Sequence, residues 1–224
     1  MQNEFINIAS HEMKTPTQSI LLHSSLLFAR PEIREESIEA IRRSANRLQR
    51  LTNDILDVTR IESHTLKLNK ERFNLKDIVT GILEEYDAEV DNGKVRLIYD
   101  PKDIFILADK SRIIQVISNL LGNAIKFTKE GSINLITEKR MDNNNNICNN
   151  YLVVSIVDTG TGIDPQVLPK LFSKFTTKSD MGIGLGLYIS KNIIEAHGGK
   201  IWAYNNDATM EERGATFSIS LECE

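Results

Sequence analysis

Cysteine is almost absent from this sequence: two among 224 residues, Cys148 and Cys223, far apart and in unlike surroundings. A disulfide framework and a cysteine metal site are both excluded as organising devices, and a reducing compartment is the expectation. Nor does any apolar run reach the roughly eighteen residues of a membrane-crossing helix, so no membrane contact by this chain itself is expected. A secretory leader is missing too, because the opening "MQNEFINIAS" already reads as an amphipathic helix. A helix starting so near Met1 points to a chain cut from something longer, which leaves a membrane anchor elsewhere in that protein open. Basic excess is also lacking: 27 Lys and Arg against 31 Asp and Glu give a net charge of −4, and no nucleic-acid partner is expected. Finally, the first 65 residues contain no glycine, and only Pro16 and Pro31 interrupt them.

With 41% hydrophobic and 26% charged residues, the composition is that of a soluble globular chain. Two grammars divide it, with the boundary near residue 65: residues 1–65 form one domain and 66–224 another. In the first, Phe5, Ala9, Met13, Pro16 and Ile20 mark one helical stripe. That helix should run to about Phe28, and Arg30-Pro31 should turn the chain, proline suiting a first helical turn. A second helix carries Ile38, Ile41, Ala45, Leu48, Leu51, Ile55, Val58 and Ile61, a near-heptad repeat that predicts coiled-coil-like packing. Two such helices leave apolar surface over, so a homodimer with a four-helix bundle is expected.

The second domain alternates β-branched runs with helical stretches. Strands are expected at Leu66–Phe73, Lys94–Asp100, Ile104–Leu107, Ser132–Arg140, Tyr151–Asp158, Lys200–Tyr204 and Ala215–Leu221, and helices at Leu75–Val90, Lys110–Phe127 and Leu185–His197. Helices on one face of a mostly antiparallel sheet make an α+β sandwich. The stretch "MDNNNNICNN" reads as a polar hairpin loop.

Chemistry concentrates in four places. In "HEMKTP", His11 lies about 200° in helical phase from both Ala9 and Met13, so it faces solvent. Glu12 is adjacent, Thr15 is one turn on, and Pro16 frees the Glu12 carbonyl, which should bend the helix. A carboxylate beside an imidazole fixes one ring nitrogen as donor and makes the other a better nucleophile. In "SNLLGNAIKFT", Asn119, Asn123 and Lys126 share one side of a helix, where an amide oxygen suits Mg²⁺ and a lysine suits phosphate. In "VDTGTGI", Asp158 at a strand end can accept from an exocyclic amine, while Gly160 and Gly162 permit close backbone approach. In "GIGLGL", Gly182, Gly184 and Gly186 lead into a helix, a ready anion site; no strand precedes them, so a Rossmann reading is poor.

In this order the four motifs resemble the sensor histidine kinases of two-component signalling: a HisKA-type dimerisation and phosphoacceptor hairpin before a GHKL, or Bergerat-type, ATP-binding fold. The resemblance runs over nearly the whole chain, with "LFSKF" as a further box. It implies ATP and Mg²⁺ as cofactors, a cytoplasm-facing location and a response-regulator receiver domain as partner. By the same resemblance His11 is the phosphoacceptor, Glu12 its base, and Thr15 the residue that orients water in regulator dephosphorylation. Asn123 would hold Mg²⁺, with Asn119 and Lys126 near the phosphates. Asp158 would take the adenine amine, helped by Thr216, with Gly160 and Gly162 shaping the pocket. Phe127 stands where tyrosine is common. Gly182, Gly184 and Gly186 would hinge a lid anchored by Phe172 and Phe175, with Thr177 or Lys178 as lid contacts to phosphate. The rival readings are a GHKL-type ATPase, which gives no reason for "HEMKTP", and a catalytically silent dimeric scaffold. Of the other histidines, His23 lacks an adjacent acid, His64 lies in the linker, and His197 before Gly198-Gly199 reads as a helix cap.

Overall fold

The computed structural model describes residues 2–87, 94–142, 149–176, 183–206 and 213–222. The chain divides into two compact units. One comprises Met1–Leu66 with Lys174–Leu185, the other Lys67–Ser173 with Gly186–Glu224.

In the first unit, helix α1 (Gln2–Ala29) and helix α2 (Arg34–Glu62) form a hairpin, joined through a short 3₁₀ turn at Pro31–Ile33. Helix α1 runs unbroken through Pro16, which is buried, as is Ala9 two stripe positions before it. The seam of α2 against α1 shares Leu51 and Val58 with the expected stripe and lies one position before it in the first half of the helix. It follows Ser37, Ala40, Ser44, Arg47, Leu51 and Val58, a strict heptad. Of these Ser37, Ala40, Leu51 and Val58 are buried, and three polar bridges cross the hairpin. Ser44 donates to Ser19 at 3.0 Å, His23 Nδ1 lies 3.4 Å from the Ser37 hydroxyl, and Arg47 donates to Glu12 at 2.8 Å. Much of the expected stripe is left over: Ile38 and Ala45 are exposed, and Ile41, Leu48 and Ile55 only half-buried.

Helix α2 ends in a Schellman arrangement. The amide of Thr65 donates to the carbonyl of Arg60, that of His64 to Ile61, and His64 takes a positive φ of 54°. His64 thus occupies the position that glycine usually fills.

The second unit holds a five-stranded sheet in the order β2-β4-β5-β7-β6. Its strands are β2 (Val95–Tyr99), β4 (Gly131–Asp142), β5 (Asn149–Asp158), β6 (Lys200–Asn205) and β7 (Ala215–Glu222). Strand β2 runs parallel to β4 and the other pairs are antiparallel. Helices α3 (Leu75–Asp87), α4 (Lys110–Phe127) and α5 (Gly186–Ala196) cover one face, burying Ile133, Leu135, Ile156, Phe217 and Ile219. This is the expected α+β sandwich.

Two local expectations change. Strands β1 (Glu71–Asn74) and β3 (Phe105–Ala108) form a separate antiparallel ribbon rather than joining the main sheet. The first strand also starts at Glu71 rather than Leu66. Glu71 already pairs with Ala108, the last residue of β3, so earlier residues have no strand beside them. The amide of Asn69 turns instead to the Asp109 carboxylate, at 2.8 Å. The expected end of α3 at Val90 and the centre of the asparagine-rich stretch fall outside the described residues.

Candidate functional site

The geometry starts from α1. With Ala9 and Pro16 turned inward, the helical period leaves His11 and Thr15 outward, and both are exposed. The His11 side chain keeps 80% of its accessible surface, against 22% for Glu12. The Glu12 carboxylate faces two ways. Oε2 accepts from Arg47 Nη2 at 2.8 Å, and Oε1 lies 4.0 Å from His11 Nδ1. That second distance is about 1 Å beyond hydrogen-bond reach. A small side-chain movement closes it, and the ring nitrogen left facing solvent is then Nε2.

The second unit arranges Asn119, Asn123, Lys126, Asp158, Gly160 and Gly186 on and around α4. Its N-terminus is fixed by Asp109, which accepts from the Arg112 amide at 3.2 Å and the Ser111 hydroxyl at 2.8 Å. Burial works against that carboxylate's charge, but the Asn69 amide, the Ser111 hydroxyl and Arg112 together hold its pKa below the usual range. The Asp109 amide in turn donates to His197 Nε2 at 3.0 Å, while His197 Nδ1 lies 2.8 Å from the Ile193 carbonyl. An acceptor at Nε2 makes Nδ1 the protonated nitrogen, so this imidazole is neutral. Burial lowers its pKa in the same sense. His197 therefore ties the end of α5 to the start of α4, more than the helix cap expected of it.

Along α4, Ile113, Val116, Ile117, Leu120, Leu121 and Ala124 are buried, which turns Asn119, Asn123 and Lys126 toward the other side. Asn119 reaches α5: its Nδ2 donates to Ser190 at 3.0 Å. A Cβ on Gly186 would stand 2.2 Å from Asn119 Oδ1, so only glycine lets α5 begin this close. The Asn123 side chain has no hydrogen-bond partner among the described residues. Lys126 lies 5.4 Å from the centre of the exposed Phe127 ring.

The end of α4 meets the loop after β5. The Phe127 carbonyl accepts from the Thr161 amide at 3.3 Å. A Cβ on Gly160 would sit 2.5 Å from that same oxygen. Asp158 is 3% exposed, and burial raises its pKa despite two backbone donors. The Gly160 amide (2.9 Å) and the Ala215 amide (3.2 Å) both land on Oδ1. Among the described residues none reaches Oδ2. That oxygen is the free acceptor of a buried side chain, the complement of an exocyclic amine.

Two asparagines that sequence reasoning missed hold the loop after Asp158. Asn205, the last residue of β6, brackets Ile163: its Oδ1 accepts from the Ile163 amide at 2.6 Å and its Nδ2 donates to the carbonyl at 2.8 Å. Gly162, at φ 75°, lies against the same side chain. Asn206 donates to the Asp158 carbonyl at 2.9 Å and accepts from the Thr216 hydroxyl at 2.6 Å. Thr216 itself departs from expectation. It pairs with Val157 and Tyr204, so its side chain lies on the sheet face opposite that of Asp158. The residue that reaches Asp158 is its neighbour Ala215, through the backbone.

Of the residues expected to form a lid, Phe175 (φ 62°) donates its amide to the Gly184 carbonyl at 3.0 Å. Gly184 has φ 73°, and a Cβ there would be 2.8 Å from the backbone of Phe175 and Thr176. Phe172 is half-buried. Gly182, Thr177 and Lys178 lie outside the described residues.

This fold has known counterparts. The family described as histidine kinase-, DNA gyrase B- and HSP90-like ATPases matches residues 108–224. The His Kinase A phospho-acceptor domain matches residues 1–64. Among solved structures, the Acinetobacter baumannii histidine kinase AdeS is similar over 96% of this chain and 98% of its own, at 23% identity and TM-score 0.68. The catalytic domain of histidine kinase ThkA is 31% identical, over 69% of this chain and 96% of its own, with TM-score 0.58. A structure of ThkA in complex with the response regulator protein TrrA matches 99% of this chain and 61% of that one, at 26% identity and TM-score 0.65. The chain belongs to the ATPase family that the first of these matches defines. With the phospho-acceptor domain ahead of the ATPase, it is a sensor histidine kinase of two-component signalling.

Proposed function

We propose that the chain transfers the γ-phosphoryl group of ATP to His11 and then to an aspartate of a response-regulator receiver domain. The observation that carries this reading is an exposed imidazole with a carboxylate at its Nδ1 side, on the outer face of α1. His11 Nε2 attacks the γ-phosphorus, the P–N bond forms, and the bond to the bridging oxygen of the departing ADP breaks. The Nδ1 proton passes to Glu12. Catalysis is chiefly positioning and charge neutralisation.

Asp158 Oδ2 would accept from the adenine amine, with Gly160 and Gly162 shaping the pocket around it. Thr216 would act only through Asn206. The half-exposed amide of Asn123, a neutral hard oxygen without a protein partner among the described residues, fits Mg²⁺. Such an ion would neutralise charge on the phosphates, near which Asn119 and Lys126 also lie. Gly182, Gly184 and Gly186 would let the lid move, with Phe172 and Phe175 at its other end. Thr15 would orient a water for regulator dephosphorylation.

The chain would work as a homodimer. Leu21, Leu22, Phe28, Ile38 and Leu56 leave between 48% and 89% of their surface exposed on the hairpin. That is more apolar surface than a free hairpin keeps in water. A second hairpin would cover it and complete a four-helix bundle.

Two variants test the division of labour. His11→Gln should bind ATP with unchanged affinity and take no phosphate. Asp158→Ala should lose ATP binding and labelling together. Labelled His11→Gln protein, or full ATP affinity in Asp158→Ala, would contradict the assignment.

A further inference from the structure

We infer that Arg47 is a positioning residue for the phosphoryl-transfer base: it holds one oxygen of Glu12 so that the other faces His11 Nδ1. The inference rests on the role proposed for Glu12. Its own observation is the place of Arg47 in the fold. The α2 seam facing α1 runs Ser37, Ala40, Ser44, Arg47, Leu51, Val58 at heptad spacing, with Ser37, Ala40, Leu51 and Val58 buried. A guanidinium at such a position packs worse than a leucine or methionine, and a charged seam residue generally carries a cost in stability. Arg47 is nonetheless only 35% exposed and donates Nη2 to Glu12 Oε2 at 2.8 Å. The carboxylate it holds comes from the residue next to His11.

The geometry has a chemical consequence. A glutamate has three side-chain torsions, and on an exposed helix face its carboxylate samples many rotamers. Fixing Oε2 on a planar guanidinium that α2 anchors leaves Oε1 on the His11 side, 4.0 Å from Nδ1. The carboxylate then has a short distance to travel when Nδ1 must give up its proton. Arg47 bonds the carboxylate and not the ring, and it is not among the residues proposed to hold ATP. Its effect should therefore fall on kcat and leave the KM for ATP unchanged.

The test is a double-mutant cycle on the autophosphorylation of the full chain by γ-labelled ATP with Mg²⁺, joined to thermal melting. Arg47→Met should lower kcat roughly tenfold, as loss of orientation at a reacting group does, with the KM for ATP and the melting temperature held or raised. Arg47→Lys, which keeps the charge but not the planar fork, should recover part of the rate. In a Glu12→Gln background Arg47→Met should change kcat less than twofold. An unchanged kcat in Arg47→Met, or an equal loss with and without Glu12, overturns the inference. A melting temperature that falls in step with the rate overturns it too, since that marks a merely structural arginine. Failure of the underlying reading looks different: Glu12→Gln would keep the full rate while His11→Gln took no label.

Discussion

Asp54 on α2 falls on the same heptad as Arg47 and Leu51, and its pKa is raised from 3.8 to about 6. Burial is the first cause, repulsion by Asp57 the second, and Arg50 opposes both. Asp57 is itself 4% exposed, with Arg60 Nη1 3.5 Å from it. A carboxyl whose folded pKa lies above its unfolded one binds its proton more tightly when folded. Stability is therefore highest below pH 4 with respect to this group and falls as pH rises from about 4 to about 6. Moving from 3.8 to about 6 corresponds to at most about 3 kcal/mol against folding at neutral pH, and partial exposure brings that nearer 1–2 kcal/mol. Asp54→Asn removes the charge and keeps the shape. At pH 7.5 it should raise the melting temperature of the helical unit, by about 4–8 °C per kcal/mol for a unit of this size. At pH 4, where the native carboxyl is already protonated, the two proteins should melt together. Scanning calorimetry at the two pH values reads the effect. An equal gain at both, or a loss at pH 7.5, would show that the buried charge is not what destabilises α2.

Three further outcomes concern the other residues that shape the two units. His197 is buried and neutral, so its folded pKa lies below its unfolded one. The stability it contributes is complete above about pH 6.5 and declines as pH falls below that. Calorimetry of the wild type should show that decline and His197→Gln should lack it; identical pH profiles would refute the role. Asn205→Ala removes two hydrogen bonds to Ile163, each worth about 1 kcal/mol, so the KM for ATP should rise roughly tenfold with kcat intact. An unchanged KM would show that the loop holds itself. His64→Gly relieves a left-handed residue at the α2 terminus and should stabilise the hairpin by about 1 kcal/mol in urea unfolding. A destabilised His64→Gly would mean that the imidazole makes compensating contacts.

Much of this architecture was legible in the residues, for identifiable reasons. Helix α4 occurs at its expected bounds because its stripe is unambiguous and a capping aspartate precedes it. The five main strands lie where β-branched runs stand between turn residues. Helix α2 was harder, because its apolar stripe and the seam that faces α1 coincide only from Leu51 onward. Sequence periodicity finds the stripe and cannot tell which side meets α1, since the α1–α2 turn sets the register. The seam through Ser44 and Arg47 is polar enough to look like surface, so Arg47 gave no signal.

The site divides in the same way. Asp158, Asn119 and the glycines stand in short local motifs that read without a fold. Asn205 and Asn206 do not: two asparagines after a strand look like an ordinary turn. Only the pairing of β6 with β7 brings them to Ile163 and Asp158. Thr216 illustrates the converse error. One residue of strand alternation decides which face a side chain takes, and motif spacing does not fix that parity.

The acceptor itself is the first measurement to make. The purified chain and His11→Gln would be incubated side by side with γ-labelled ATP and Mg²⁺, and the protein-bound label then treated with acid and with alkali. Label in the wild type alone, lost in acid and stable in alkali, is the predicted result, as a phosphoramidate on an imidazole requires. ATP turnover with no protein-bound label, or acid-stable label that persists in His11→Gln, would contradict the account.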